Sequence, residues 1–275
     1  MKRSSSPRDA GQWTVESATA ALQRRILDGE FRQPDGNAGQ LPTAGDLGTA
    51  YGLSRQAMNR VIERLKAEGL VHTRPGARGA MVRDWQPLIF LPQQEFERGR
   101  DSGPDTDIYT RLVRAAAREG TSRMDDVTIV QADEEIRTKL GLRPGEHVGV
   151  RLRTNIVDGV PAHTDDSYVA LRIVDGTDWL LPGNVARGTN TVLAELGHEL
   201  VSSIDELEPR MTTDEENERL GLGEGNSLPA IQLTSTGLDR DDNPIQVTRI
   251  TLPRRRNTVV YKRRKPELPE TGGAE

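Results

Sequence analysis

Residues 41–83 read LPTAGDLGTAYGLSRQAMNRVIERLKAEGLVHTRPGARGAMVR, and this stretch decides the architecture of the first third of the chain. Thr43 is a residue type that caps a helix, and Asp46 three positions on completes a partial capping box. Leu47 and Tyr51 follow on one face, and Gly52 stops that short helix. Ser54 caps the next one, in which Met58, Val61, Ile62 and Leu65 form one apolar stripe before Gly69 ends it. Residues 70–73 and 80–82 alternate as strands around Pro75-Gly76-Ala77-Arg78-Gly79. The spacing predicts two short helices joined by the tight turn Tyr51-Gly52-Leu53-Ser54, then a basic hairpin: a helix–turn–helix with a wing.

The side chains left off the apolar stripe are those a DNA duplex would meet. Arg55, Gln56, Asn59 and Arg60 share an edge of the second helix, whose N-terminal end is the part that reaches base edges in such motifs. A guanidinium grips guanine by two hydrogen bonds, and the amides of Gln56 and Asn59 pair an adenine edge as donor and acceptor together. Arg60 and Arg64 suit phosphate or solvent. Ser54 opens this helix as its cap, and the start of the preceding one at Thr43 offers a phosphate its backbone N–H and hydroxyl. In the wing, Gly76 lets the backbone approach closely, and Arg78 reaches phosphate or the minor groove. Each position has a plainer alternative: solvated helix charges, exposed amides, a simple N-cap, ordinary turn geometry.

Charge is divided along the chain. The net charge is −5, yet residues 1–84 hold 13 Lys+Arg against 9 Asp+Glu, and the remaining residues hold 24 against 33. A basic first third on an acidic remainder fits one domain that meets phosphate and one that does not. The length accommodates two domains with their own cores. There is no cysteine, which removes disulfides, zinc fingers and thiol catalysis and fits a reducing cytoplasm. No apolar run approaches a membrane span, and the N-terminal residues MKRSSSPRDAGQ lack the apolar segment of a secretory signal.

Beyond the wing the pattern mixes helix and strand. We expect a disordered arm over 1–12, the winged domain over 13–84 with a first helix at 15–28, a linker and first strand over 85–107, a second domain over 108–264 and a disordered tail over 265–275. Within the second domain, helices are expected at 108–118, 134–140, 191–196 and 214–220. A strand is expected at 127–131, and hairpins at 148–157/162–171 and 228–238/245–252, with an edge strand at 259–261. This makes an α+β domain: an antiparallel sheet with helices to one side. Arg151 and Arg153 lie two apart on a strand and share a face, where two guanidiniums attract a phosphate or carboxylate. The alternative is pairing with acids on the sheet.

These motifs resemble the winged helix–turn–helix of GntR-family transcription regulators: LPTAGDL, YGLSRQAMNRVIERLKAEGLV and PGARGAMV. LRPGEHVGVRLRTNIVDGVPAHTDDSYV, DELEPRMTTDEENERLGL and DRDDNPIQVTRITLPRRRNTVVY resemble the HutC branch, whose second domain is the effector-sensing, chorismate-lyase-like UTRA domain. The resemblance covers residues from about 15 to 262. It implies a homodimeric regulator, usually a repressor, that binds a two-fold symmetric double-stranded operator and responds to a small-molecule effector. It points to Arg151, Arg153, Asp165, Thr189 and Gln246 as effector-facing positions. Gln246 stands where sugar-phosphate-sensing relatives carry Glu, and Leu252 where an aromatic is frequent. Gly45 and Asn59 stand where the family often has operator-contacting arginines, so the operator is expected to differ from the common family site. Rival readings are an enzyme on the chorismate-lyase-like fold and an effector-independent DNA binder of the plasmid-maintenance kind.

No catalytic set, cofactor motif or metal cluster is expected. His72, His147, His163 and His198 are scattered, and His163 with Asp165 lacks a third ligand. Residues 239–243 lack the Gly and Glu of a calcium loop. The basic runs 254–256 and 262–265 are expected to be a solvated edge and tail, or auxiliary DNA contacts.

Overall fold

The structure is a computed structural model that describes residues 13–31, 33, 39–73, 78–82, 87–95, 108–222 and 227–263. Helix α1 (Val15–Leu27) begins at a complete capping box between Thr14 and Ser17 and buries Ala18, Leu22 and Ile26. Helix α2 (Ala44–Tyr51) is capped by Thr43, and α3 (Arg55–Ala67) by Ser54, whose hydroxyl accepts from the Ala57 N–H at 3.1 Å. The turn between α2 and α3 is tight for a specific reason. A Cβ on Gly48 would stand 2.7 Å from the Leu53 carbonyl oxygen, so only glycine lets the two helices close this way. Strands β1 (Val71–His72) and β2 (Met81–Val82) pair antiparallel as the base of the wing. One core, with Leu22, Leu47, Tyr51, Met58, Val61 and Leu65 all at 2 % exposure or less, holds the three helices and the wing together.

The second domain is organised by a long antiparallel sheet. Strand β3 (Leu88–Phe90) stands outside it, then come α4 (Ile108–Ala115), β4 (Gly120–Gln131), α5 (Glu134–Lys139), β5 (His147–Val157), β6 (Val160–Ala170) and α6 (Leu171–Val174). After a 3₁₀ turn (Asp178–Leu180) follow α7 (Thr189–Glu195), β7 (Ser202–Met211), α8 (Asp214–Arg219), β8 (Pro229–Leu238), β9 (Pro244–Pro253) and β10 (Asn257–Val259). The six-stranded sheet runs β4-β5-β6-β9-β8-β7, and β3 pairs with β10 in parallel as a separate ribbon.

Helices cover both faces of the sheet, not one side as the sequence pattern suggested. Val148, Val150, Ala170 and Val247 pack under α5 on one face. Val169 packs on the other with Val174, Trp179, Val192 and Leu193 from α6, the 3₁₀ turn and α7. Adjacent residues such as Val169 and Ala170 point to opposite faces, so both sides of β6 are apolar at this end. Gly149 makes the second layer fit: a Cβ there would lie 2.7–3.1 Å from Leu180, Trp179 and Val174. At the sheet's other end α4 and β3 pack on Leu233, Ile250 and Leu252. Strand β4 starts seven residues earlier than expected; this edge strand is mostly polar and half-exposed, so it carries little period-two signal.

Candidate nucleic-acid interface and effector site

In the first domain the expected residues of α3 share one exposed edge. Met58, Val61, Ile62 and Leu65 turn α3's apolar stripe into the core, which leaves Ser54, Arg55, Gln56, Asn59 and Arg60 exposed on its outer side. Arg55 and Asn59 are one turn apart, as are Gln56 and Arg60, so they form two parallel rows near the helix N-terminus. Thr43 caps α2; its hydroxyl accepts from the Asp46 N–H at 3.2 Å and donates to the Asp46 carboxylate at 2.7 Å. Arg78 is exposed beside the wing strands; Gly76, with Arg74 and Arg83, lies outside the described residues. Arg64 is placed differently: it pairs with Glu16 of α1 at 2.9 Å, which ties the lower half of α3 to the first helix. Gly45 is exposed on α2, and a Cβ there would meet only the Thr43 hydroxyl at 3.7 Å. The surface therefore has room for a larger side chain there.

In the second domain the register gathers a polar patch on the sheet face under α6 and α7. Arg153 is opposite Asp165, Arg151 opposite Ser167, Ser167 opposite Thr248, and Val169 opposite Gln246; residues directly opposite in an antiparallel pair share a face. Gln246 Nε2 donates to Thr248 Oγ1 at 2.9 Å, while its buried Oε1 finds no partner among the described residues. The buried Trp179 Nε1 is likewise unmatched there. Thr189 opens α7, whose Val192 and Leu193 pack on the same face beside Trp179.

Arg151, expected to share an anion with Arg153, is engaged by the protein's own backbone. Its guanidinium is buried at 2 % exposure and donates to the backbone oxygens of Trp179, Leu181 (3.0 Å) and Gly183, with Trp179's ring 5.6 Å away. Burial, and then the neighbouring charge of Arg153, push its pKa down to about 10. Arg151 therefore clamps the 3₁₀ segment that roofs the patch, and Arg153 supplies the positive charge next to it.

The residues that hold this patch in place come from the opposite face. Arg219 of α8 donates to Asp166 (2.6 and 2.9 Å), to Asp125 (3.0 Å) and to the Arg153 carbonyl (2.8 Å). Burial pushes the Asp166 carboxyl up, and Arg219 offsets only part of that. Glu216 accepts from Arg210, Thr251 and the Thr213 N–H, and these bonds outweigh its burial and hold its carboxyl low.

Two family models match the chain. Residues 14–82 match the bacterial regulatory proteins of the gntR family, and residues 115–256, more than half of the chain, match the UTRA domain. The chain belongs to the GntR family, in its UTRA-bearing HutC branch. It is similar to the crystal structure of PhnF from Mycobacterium smegmatis, at 18% identity and a TM-score of 0.55, over 90% of this chain and 100% of that one. A second structure assigned to the GntR family of transcriptional regulators matches at 21% identity and a TM-score of 0.55, over 93% and 99%. No curated protein sequence matches the chain. Membership in the family makes this protein a transcription regulator with a winged DNA-binding head and an effector-binding domain.

Sequence reasoning missed Arg219 and Arg256. Arg219 lies in the acidic run DEENER, where an arginine looks like surface charge. Arg256 was grouped with Arg254 and Arg255 as a solvated edge, yet it is 2 % exposed. Among the described residues no cluster of three or more His, Asp or Glu is arranged to hold a metal ion, and no helix is long and apolar enough to cross a membrane.

Proposed function

We propose that this GntR-family regulator is a homodimeric, effector-responsive repressor acting in the cytoplasm, and that it is not an enzyme. Each head takes one half of a two-fold symmetric operator. Arg55, Gln56 and Asn59 read base edges from the major groove, while Arg60, Arg78 and the N-terminus of α2 at Thr43 meet phosphates. The observation that carries this reading is the exposed Arg55–Arg60 edge of a helix whose other face is fully buried.

The effector seat is the patch of Arg153, Asp165, Ser167, Gln246 and Thr248, roofed by the segment that Arg151 clamps. Arg153 suits an anionic group and Asp165 a hydroxyl. The unmatched Gln246 oxygen and Trp179 N–H would take one further donor and one further acceptor of the ligand. A small polyhydroxylated acid has that chemistry. Because Arg151 is engaged with the backbone of the roofing segment, the seat has one guanidinium, that of Arg153, where two were expected, and a single carboxylate fits it better than a phosphate dianion.

Selection of bound sites from random duplexes tests the DNA half, and release of the recovered complex by candidate sugar acids tests the effector half. Failure to enrich any site at low salt overturns the regulator reading. Turnover of an acid by the full-length protein overturns the non-enzymatic one.

A further inference from the structure

Arg256 joins the two domains by hydrogen bonds. Arg256 lies immediately after a turn in which Arg255 takes φ 67°, a left-handed conformation uncommon for a side-chain-bearing residue. Its Nη1 donates to the carbonyls of Pro161 and Leu220 (3.1 Å), and its Nη2 donates to the carbonyl of Ala67. Ala67 is the last residue of α3, so its carbonyl has no partner within the helix and carries the negative end of the helix dipole. The recognition helix is thus capped by a guanidinium of the other domain. The Arg256 carbonyl in turn accepts from the Leu88 N–H at 3.0 Å, which starts the β3–β10 ribbon, and β3 is the first strand after the wing. A single residue therefore grips both the recognition helix and the strand through which the chain leaves the head.

Ala67 packs with Leu220, Leu222 and Leu228, and beside this narrow seam a cleft of about 350 Å³ opens between α1, α3 and Ser227–Leu228. At its far end the anchor reaches the effector seat. Leu220 is the C-cap of α8, and its neighbour Arg219 holds the Arg153 carbonyl.

We infer that Arg256 is a positioning residue: it sets the bearing of α3 relative to the effector domain, and the line Arg153–Arg219–Leu220–Arg256–Ala67 carries effector occupancy to the DNA head. A shift of α8 by a fraction of an ångström at Arg153 would misdirect the three-carbonyl grip, and the head would be released from its half-site bearing. This inference rests on the dimeric regulator reading above.

The test uses the full-length protein. Because the chain has no cysteine, Ala50→Cys in the head and Ala194→Cys on α7 accept spin labels uniquely. Mixing with excess unlabelled chain confines each measured distance to one subunit. One narrow distance is expected for the otherwise native protein and a broad distribution in Arg256→Gln. Ala67→Gln, which wedges the seam from the head side and leaves the effector domain's own contacts intact, should broaden it equally. On a selected operator lengthened at its centre by about five base pairs, half a helical turn, the native dimer should lose about a hundredfold in affinity as one head disengages. Both variants should lose less than about tenfold. Unchanged distance widths together with an unchanged spacing penalty in both variants overturn the inference. If no operator is enriched at all, the regulator reading fails, and the distance distributions alone then decide the latch.

Discussion

Arg55 shows how much one residue of the head is asked to do. It is exposed, one position inside the recognition helix, with no core role, so Arg55→Ala should leave folding and dimerisation untouched. A bidentate arginine–guanine contact discriminates by about 1–3 kcal/mol. We therefore expect that variant to lose about that much of its preference for selected over random duplexes in a competition gel shift. Gly48 is the converse case. Alanine is the better helix former by about 1 kcal/mol, but its Cβ would stand 2.7 Å from the Leu53 oxygen, and forced overpacking costs about 1–3 kcal/mol. The clash should win, so Gly48→Ala should lower the unfolding midpoint and weaken operator binding by tilting α3. Chemical denaturation and gel shift check both halves.

At the scale of elements, α8 is fastened to the sheet by charge. Hydrogen bonds from their arginine and threonine partners hold Asp125, Asp133 and Glu216 below their ordinary carboxylate values despite burial. A carboxylate depressed in the folded state contributes stability above its ordinary value, and loses it as pH falls through the depressed one. Asp166 is raised by burial and acts in the opposite sense, its contribution fading as pH rises through the raised value. With three groups against one, thermal stability should fall as the solution is acidified below the ordinary carboxylate values of 3.8–4.5. Glu216→Gln should flatten part of that dependence and lower the midpoint at neutral pH, as followed by circular dichroism. The spacing of apolar residues in α1, α3 and the two hairpins was enough to place those elements. The covering of both sheet faces was not, because it depends on Gly149 having no side chain where Trp179 and Leu180 descend.

For the molecule as a whole, the separation of charge sets how it meets DNA. The first 84 residues carry an excess of four positive charges and the remainder an excess of nine negative ones, so attraction is confined to the heads while the effector domains are repelled. If a dimer engages six to ten phosphates, affinity should drop by about 10³–10⁵ between 50 and 200 mM salt through counterion release. Fluorescence anisotropy across that range checks it, and a flat salt response would contradict phosphate-led binding.

The amino-acid sequence alone determined the winged helix–turn–helix, the exposed Arg55–Arg60 edge and the α+β character of the second domain. Each is written in local periodicity and capping, which a chain carries without reference to distant residues. Only the tertiary structure decided the roles of its arginines. In the sequence Arg151 reads as an anion ligand beside Arg153, and Arg219 and Arg256 read as surface charge. They differ because a guanidinium's role depends on which carbonyls and carboxylates distant strands bring within about 3 Å of it, and no spacing along the chain records that.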